Sequence, residues 1–345
     1  MPISLNLDDS QFFIAIAKKQ AHSFVMLGSY KDNKVQQLLC RVGKFFDLGE
    51  SDNSLGEACS VFGALTGAAF SSTAAKIKDE GITRKQRGHQ AITYQAYDIS
   101  FRQYVEFIQM LETLQEPKNS FHCYKPVSQR NNSILLESTK DKLFKTRPLS
   151  GPLFSAVNHL SINNNCRHGA IKLVEEVLHH PISSMVSTHF FSNLPYKTFL
   201  DFGVPSRDLP FYVLPPPPNT YTSVKKEKRQ VLERLYERME HMLLLEPSSD
   251  DTQKKFSCVK DFYNQQVAAE VQEPSIERLL VNIRIWKKEH YQVLNTLRKT
   301  YFWDEFITRK SATLTIIEEI EEDLLASESS ADLQKNSYCA STFFG

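Results

Sequence analysis

Cys166, in SINNNCRHGAIKLVEE, combines residue type and position in a way that can do chemistry. Apolar residues at 170, 171, 173, 174, 177 and 178 repeat with helical spacing behind the Asn run at 163–165. The thiol therefore falls at or within the first turn of a helix, facing unpaired backbone N–H groups and the positive end of the helix dipole. Both favour thiolate, the better nucleophile at neutral pH. The same N–H groups can hold an oxyanion while an acyl carbonyl is attacked. Arg167 and His168 place further positive charge beside it. The competing reading of Cys166 is a small buried core residue, the usual role of a free cysteine.

A nucleophilic cysteine needs a base, and the candidate rings are His22, His89, His159, His168, His179, His180 and His189. His168 shares the start of the cysteine's own helix and is expected to point elsewhere. His179 and His180 follow that helix, where C-terminal electrostatics accounts for them without catalysis. His22 opens the apolar run HSFVML and His189 interrupts MVSTHFF. Either ring faces a cleft or simply ends a strand.

The elements that must position these groups have turn and cap signals of their own. His22–Gly28 and Val35–Gly43 are β-rich runs, and the Asp32-Asn33 pair between them suits a tight turn, so a hairpin is expected. Gln90–Ile99 reads as a strand; Ser100 then caps an amphipathic helix through FRQYVEFIQMLETL. MVSTHFF (185–191), KTFLDFG and PFYVLP (210–215) read as strands or extended segments divided by prolines. The run Pro215-Pro216-Pro217-Pro218 can continue neither sheet nor helix. This predicts an α+β domain over 1–214, a Pro-rich linker at 215–221, a helical bundle over 222–326 and a disordered tail at 327–345. Helices are expected at 225–246, 257–272, 275–301 and 312–326. Trp286, Trp303, Tyr291, Tyr301, Phe302 and Phe306 fit the core of that bundle.

Composition narrows the class of function. The 345 residues are 41% hydrophobic and 23% charged, a folded chain, with a formal charge of +1 that offers no global field for nucleic acid. The basic KKEKR segment opens a Glu-rich helix without an aromatic stacking platform, so no nucleic-acid partner is expected. GALTGAA (63–69) lacks a phosphate-binding pattern, and no metal-ligand spacing occurs, so neither cofactor nor metal is expected. Six scattered cysteines point to a reducing compartment. No transmembrane helix and no cleaved secretory signal are expected.

The order of hairpin HSFVMLG, strand and helix YQAYDISFRQYVEFIQML, then NNNCRHGAIKLVEE resembles circularly permuted papain-fold enzymes, which include NlpC-type peptidases and lecithin:retinol acyltransferase-like proteins. In that superfamily the histidine strand precedes the cysteine helix. The resemblance implies a permuted papain-like domain with Cys166 as nucleophile and His22 as base, oriented by a third polar group for which Asp47, Asp98 and Gln95 are candidates. The ordinary papain order would instead pair Cys166 with His189 and Asp201. The implied function is a thiol hydrolase or acyl transferase acting on an amide, isopeptide or ester carbonyl, with a protein substrate. Phospholipid acyl chemistry is a further implication. The acidic cluster EEIEEDLL (318–325) with the ending STFFG is similar to the export signal of type IV-secreted bacterial effectors, which implies action in a host cytoplasm. The alternative is a non-catalytic effector that binds a host protein through its helical domain.

Overall fold

The computed structural model describes residues 2–47, 73–82, 88–268, 275–298 and 309–342. The segment 63–69 and residues Tyr301, Phe302, Trp303 and Phe306 lie outside them. The chain divides into two compact units, Met1–Pro216 and Pro217–Gly345.

The first unit is α+β. Its strands are β1 (Ile3–Asn6), β2 (Gln11–Lys19), β3 (His22–Lys31), β4 (Lys34–Phe46), β5 (Thr73–Asp79), β6 (His89–Ile99), β7 (Cys123–Arg130), β8 (Ser133–Thr139), β9 (His159–Leu160), β10 (Tyr196–Asp201) and β11 (Val204–Pro205). Among the described residues, eight of them form an antiparallel sheet in the order β11-β10-β6-β2-β3-β4-β5-β9, and β1-β8-β7 form a second. Its helices are α1 (Phe101–Leu114), α2 (Gly151–Asn158) and α3 (Cys166–Leu178).

QFFIAIAKK becomes the central strand β2 because it is apolar on both faces. Phe13, Ile14 and Ile16 are fully buried, each contributing roughly 1.5–3 kcal/mol. The β3–β4 hairpin turns at Asp32 and Asn33, whose φ values of 51° and 55° match the twist of the strands they join. α1 begins at Ser100, where a reciprocal capping box with Gln103 satisfies the helix start. A buried ion pair ties α1 to the second sheet. Lys125 Nζ donates to Glu112 Oε1 at 2.7 Å, and Glu112 also accepts the N–H groups of Leu143 (2.9 Å) and Phe144 (2.7 Å).

The expected strand over MVSTHFF does not form. Residues 184–192 are a loop whose carbonyls bond buried cations instead of a neighbouring strand: Ser187 and Ser192 accept from Arg167, and Phe191 from Lys18. PFYVLP is extended and lies against the sheet, with Phe211 stacked on Tyr94 at 4.4 Å.

The second unit, in its described residues, is helical: α4 (Lys226–Met242), α5 (Asp250–Ala268), α6 (Ile276–Glu289), α7 (Tyr291–Asn295) and α8 (Ala312–Thr342), after a single 3-10 turn at Pro218–Thr220. α4 packs against α5 and α8, and α6 against α8. Trp286 stacks on Phe262 at 4.1 Å in the interior. The helix expected over 275–301 is broken at His290, whose backbone and ring nitrogens both donate to the Trp286 carbonyl. α8 continues past Ala326 to Thr342 because neither Gly nor Pro interrupts that stretch.

Candidate active site

α3 starts where the sequence places Cys166. Asn165 is the N-cap: its Oδ1 accepts the His168 N–H at 3.1 Å, and its Nδ2 donates back to the Ile162 carbonyl at 2.9 Å. The backbone N–H groups of Cys166 and Arg167, in the first helical turn, have no intrahelical acceptor. The helix packs across β2, β3 and β4 with its N-terminus at the β2–β3 turn. There the sulfur lies 4.0 Å from the Ala21 carbonyl and accepts the Ser23 N–H at 3.3 Å.

The residue between those two is His22, whose ring is electrostatically coupled to the Cys166 sulfur. Its Nε2 bonds Glu80 Oε1 at 2.5 Å. Glu80 directly follows β5. Its backbone N–H donates to the Arg41 carbonyl at 3.0 Å, and its Oε2 accepts Arg41 Nε at 3.0 Å and a terminal guanidinium nitrogen at 2.8 Å. Arg41 in turn stacks on Phe24 at 4.4 Å, and Phe45 flanks the imidazole at 4.7 Å. Alternation along the strands sorts these groups. Arg41 and Phe45 share one sheet face with Phe24, whereas Ser23 and Lys44 point at α3.

Electrostatics follows the geometry. Burial raises the Cys166 thiol, but hydrogen bonding and charge from His22, the Ser23 N–H and Arg167 outweigh it and hold it below its ordinary value. Burial lowers His22, yet the bonds to Cys166 and Glu80 push it up to about 9. Burial raises Glu80, and His22 and Arg41 bring it below the usual carboxylate range. All three shifts favour a thiolate–imidazolium pair backed by a carboxylate.

Cys166 and His22 are thus brought together. His189 is exposed in the 184–192 loop with its ring against Phe191, and Asp201 pairs with His89 across β6 and β10. Of the proposed orienting groups, Asp47 pairs with Lys76 at 2.7 Å, while Asp98 and Gln95 lie within β6. The group that orients His22 is Glu80, which sequence reasoning missed because the strand Thr73–Asp79 that delivers it was not recognised in a segment poor in large apolar residues. Its signal is the acidic pair Asp79-Glu80 ahead of Gly81 at a strand end. Among the described residues no three His, Cys, Asp or Glu side chains converge as metal ligands, and no helix is long and apolar enough to cross a membrane.

Gly43 permits the His22–Glu80 contact. A Cβ there would stand 2.2 Å from Glu80 Oε1 and 2.7 Å from His22 Nε2, closer than any atoms tolerate. Gly43→Ala is expected to separate the pair, raise the pH at which Cys166 alkylates and cost about 1–3 kcal/mol of stability. Parallel thermal melts and alkylation profiles test this. An unchanged profile would mean that the contact is dispensable.

The fold and site together define an α+β unit with a Cys–His–Glu constellation at a helix N-terminus. Searches of protein-family models, curated proteins and solved structures found no match to the chain.

Proposed function

We propose that the protein is a thiol hydrolase or acyl transferase that works through Cys166, His22 and Glu80. The observation that carries this reading is a helix-start sulfur seated on the backbone that flanks His22, whose imidazole is held by a clamped carboxylate. The thiolate attacks an amide, isopeptide or ester carbonyl, forming a C–S bond, while the N–H groups at the start of α3 stabilise the oxyanion. Collapse breaks the C–N or C–O bond, and the His22 imidazolium gives its proton to the leaving group. Neutral His22 then takes a proton from water or an amine, which attacks the thioester and restores the thiolate. Glu80 holds the ring and stabilises the imidazolium without itself taking the proton.

The order of histidine strand before cysteine helix, which resembles that of permuted papain-fold enzymes, supports this chemistry, with protease, deamidase or transglutaminase-like activity as its forms. The similarity of the C-terminus to type IV effector signals supports action in a host cytoplasm on a protein substrate, which the helical unit would recruit.

An activated ester such as p-nitrophenyl acetate tests the reading without knowledge of the natural substrate. The expected result is a stoichiometric burst of p-nitrophenolate, an acetyl group on Cys166 by mass spectrometry, and loss of both in Cys166→Ser. Acetylation spread evenly over the cysteines, with no burst, would overturn it in favour of a non-catalytic protein that binds its partner through the helices.

A further inference from the structure

We propose that the site selects acyl donors whose acyl group carries a carboxylate near the carbonyl under attack, an inference that rests on Cys166 being the nucleophile. Three buried cations surround the start of α3: Lys18, Lys44 and Arg167 are 7%, 3% and 0% exposed. Their hydrogen bonds go to neutral oxygens. Lys18 Nζ donates to the Phe191 carbonyl (2.8 Å) and Asn193 Oδ1 (3.0 Å), and Lys44 Nζ to the Asn164 carbonyl (2.7 Å) and Oδ1 (2.9 Å). Arg167 donates to Ser23 Oγ (2.9 Å) and to the carbonyls of Ser187 (3.0 Å) and Ser192 (2.9 Å).

Among the described residues no carboxylate pairs with any of the three. Glu80 serves His22 and Arg41. Buried cations are ordinarily matched by buried anions, because an uncompensated charge in the interior costs several kcal/mol. The anion near all three is the Cys166 thiolate: Arg167 adjoins it in the chain, Lys44 holds Asn164 two residues before it, and Lys18 stands across the strand pair from Ser23, whose N–H bonds the sulfur. Its charge is not permanent. When sulfur attacks a carbonyl and the intermediate collapses, the departing group takes the His22 proton and leaves neutral, so a neutral thioester beside a neutral imidazole remains. The three cations then confront no anion. A carboxylate on the acyl group would restore the balance at that stage. Each lysine ammonium has three N–H groups and uses two.

Paired alkylating agents read this directly, because iodoacetate carries the carboxylate and iodoacetamide does not. Both react by displacement of iodide at the same sulfur. The rates at Cys166 are compared by mass spectrometry near pH 6 in the native chain, Lys18→Met and Lys44→Met. The native protein is expected to prefer iodoacetate, and the iodoacetate-to-iodoacetamide ratio to fall about fivefold in each variant, the effect of removing one charge several ångströms from the sulfur. His22 remains in both variants, so imidazolium attraction cancels from the comparison. A ratio unmoved in both variants, or a native preference for iodoacetamide, would overturn carboxylate selection and leave the nucleophile standing. Failure of both reagents to modify native Cys166 would remove the nucleophile and this inference with it. The iodoacetamide rate reports the integrity of each variant, and the two lysines lie on different strands, so misfolding of one leaves the other decisive.

Discussion

Alkylation of Cys166 by iodoacetamide near pH 7 is expected to slow roughly a hundredfold in His22→Ala, because the thiolate loses its imidazolium partner. The sign follows from the competing influences on the thiol. Burial raises it, and His22 is the largest of the groups that lower it. With the ring removed, the largest influence holding the thiol down is gone, so the thiol moves up and the thiolate fraction at neutral pH falls. In the native chain, acyl transfer should rise with pH through the lowered thiol value, stay level, and fall again through about 9, where His22 loses the proton it must give to the leaving group. Glu80→Gln keeps the size of the orienting group and removes its charge. The falling limb should then shift to lower pH, since Glu80 contributes both a hydrogen bond and a charge to the raised value of His22. A pH profile of p-nitroacetanilide turnover in the three proteins measures these effects, because its amine leaving group must be protonated to depart. A native rate that keeps climbing above pH 9 would remove His22 as the acid.

The largest stability effect is expected away from the site. Glu112→Ala should destabilise the first unit by about 3–5 kcal/mol, because it strands a buried charge. Lys125 and Glu112 have side chains 0% and 1% exposed, and Glu112 also satisfies the Leu143 and Phe144 N–H groups. Removing the carboxylate leaves an ammonium and two backbone donors without this acceptor. Lys125→Met should cost less, since the remaining carboxylate keeps both backbone donors and the methionine fills the same space. Urea unfolding followed by circular dichroism compares the two. Equal, small losses would mean that the pair is solvated in practice.

Local signals in the sequence were enough for several elements near the site. The helix start at Asn165-Cys166 follows from an N-cap residue ahead of a helical apolar stripe, and the hairpin turn from Asp32-Asn33, where a positive φ costs little. The Ser100 cap is of the same kind. Each of these is written within a few consecutive residues. The central strand β2 was not recognised, since burial on both faces removes the alternation that marks a strand. MVSTHFF misled in the opposite direction. Its composition is that of a strand, but its carbonyls went to Lys18 and Arg167.

The sequence by itself determined that a cysteine would stand at the head of a helix and that a histidine would open a strand, because capping and hydrophobic period act over one or two turns of chain. Only the tertiary structure decided what those residues meet. Glu80 reaches His22 from 58 residues away, through the β4–β5 register that bonds its backbone to Arg41 and through a side-chain-free position at Gly43. The three buried cations come together near the start of α3 from β2, β4 and α3 itself. Strand pairing and the burial of charge are long-range terms, and no short window of sequence contains both partners.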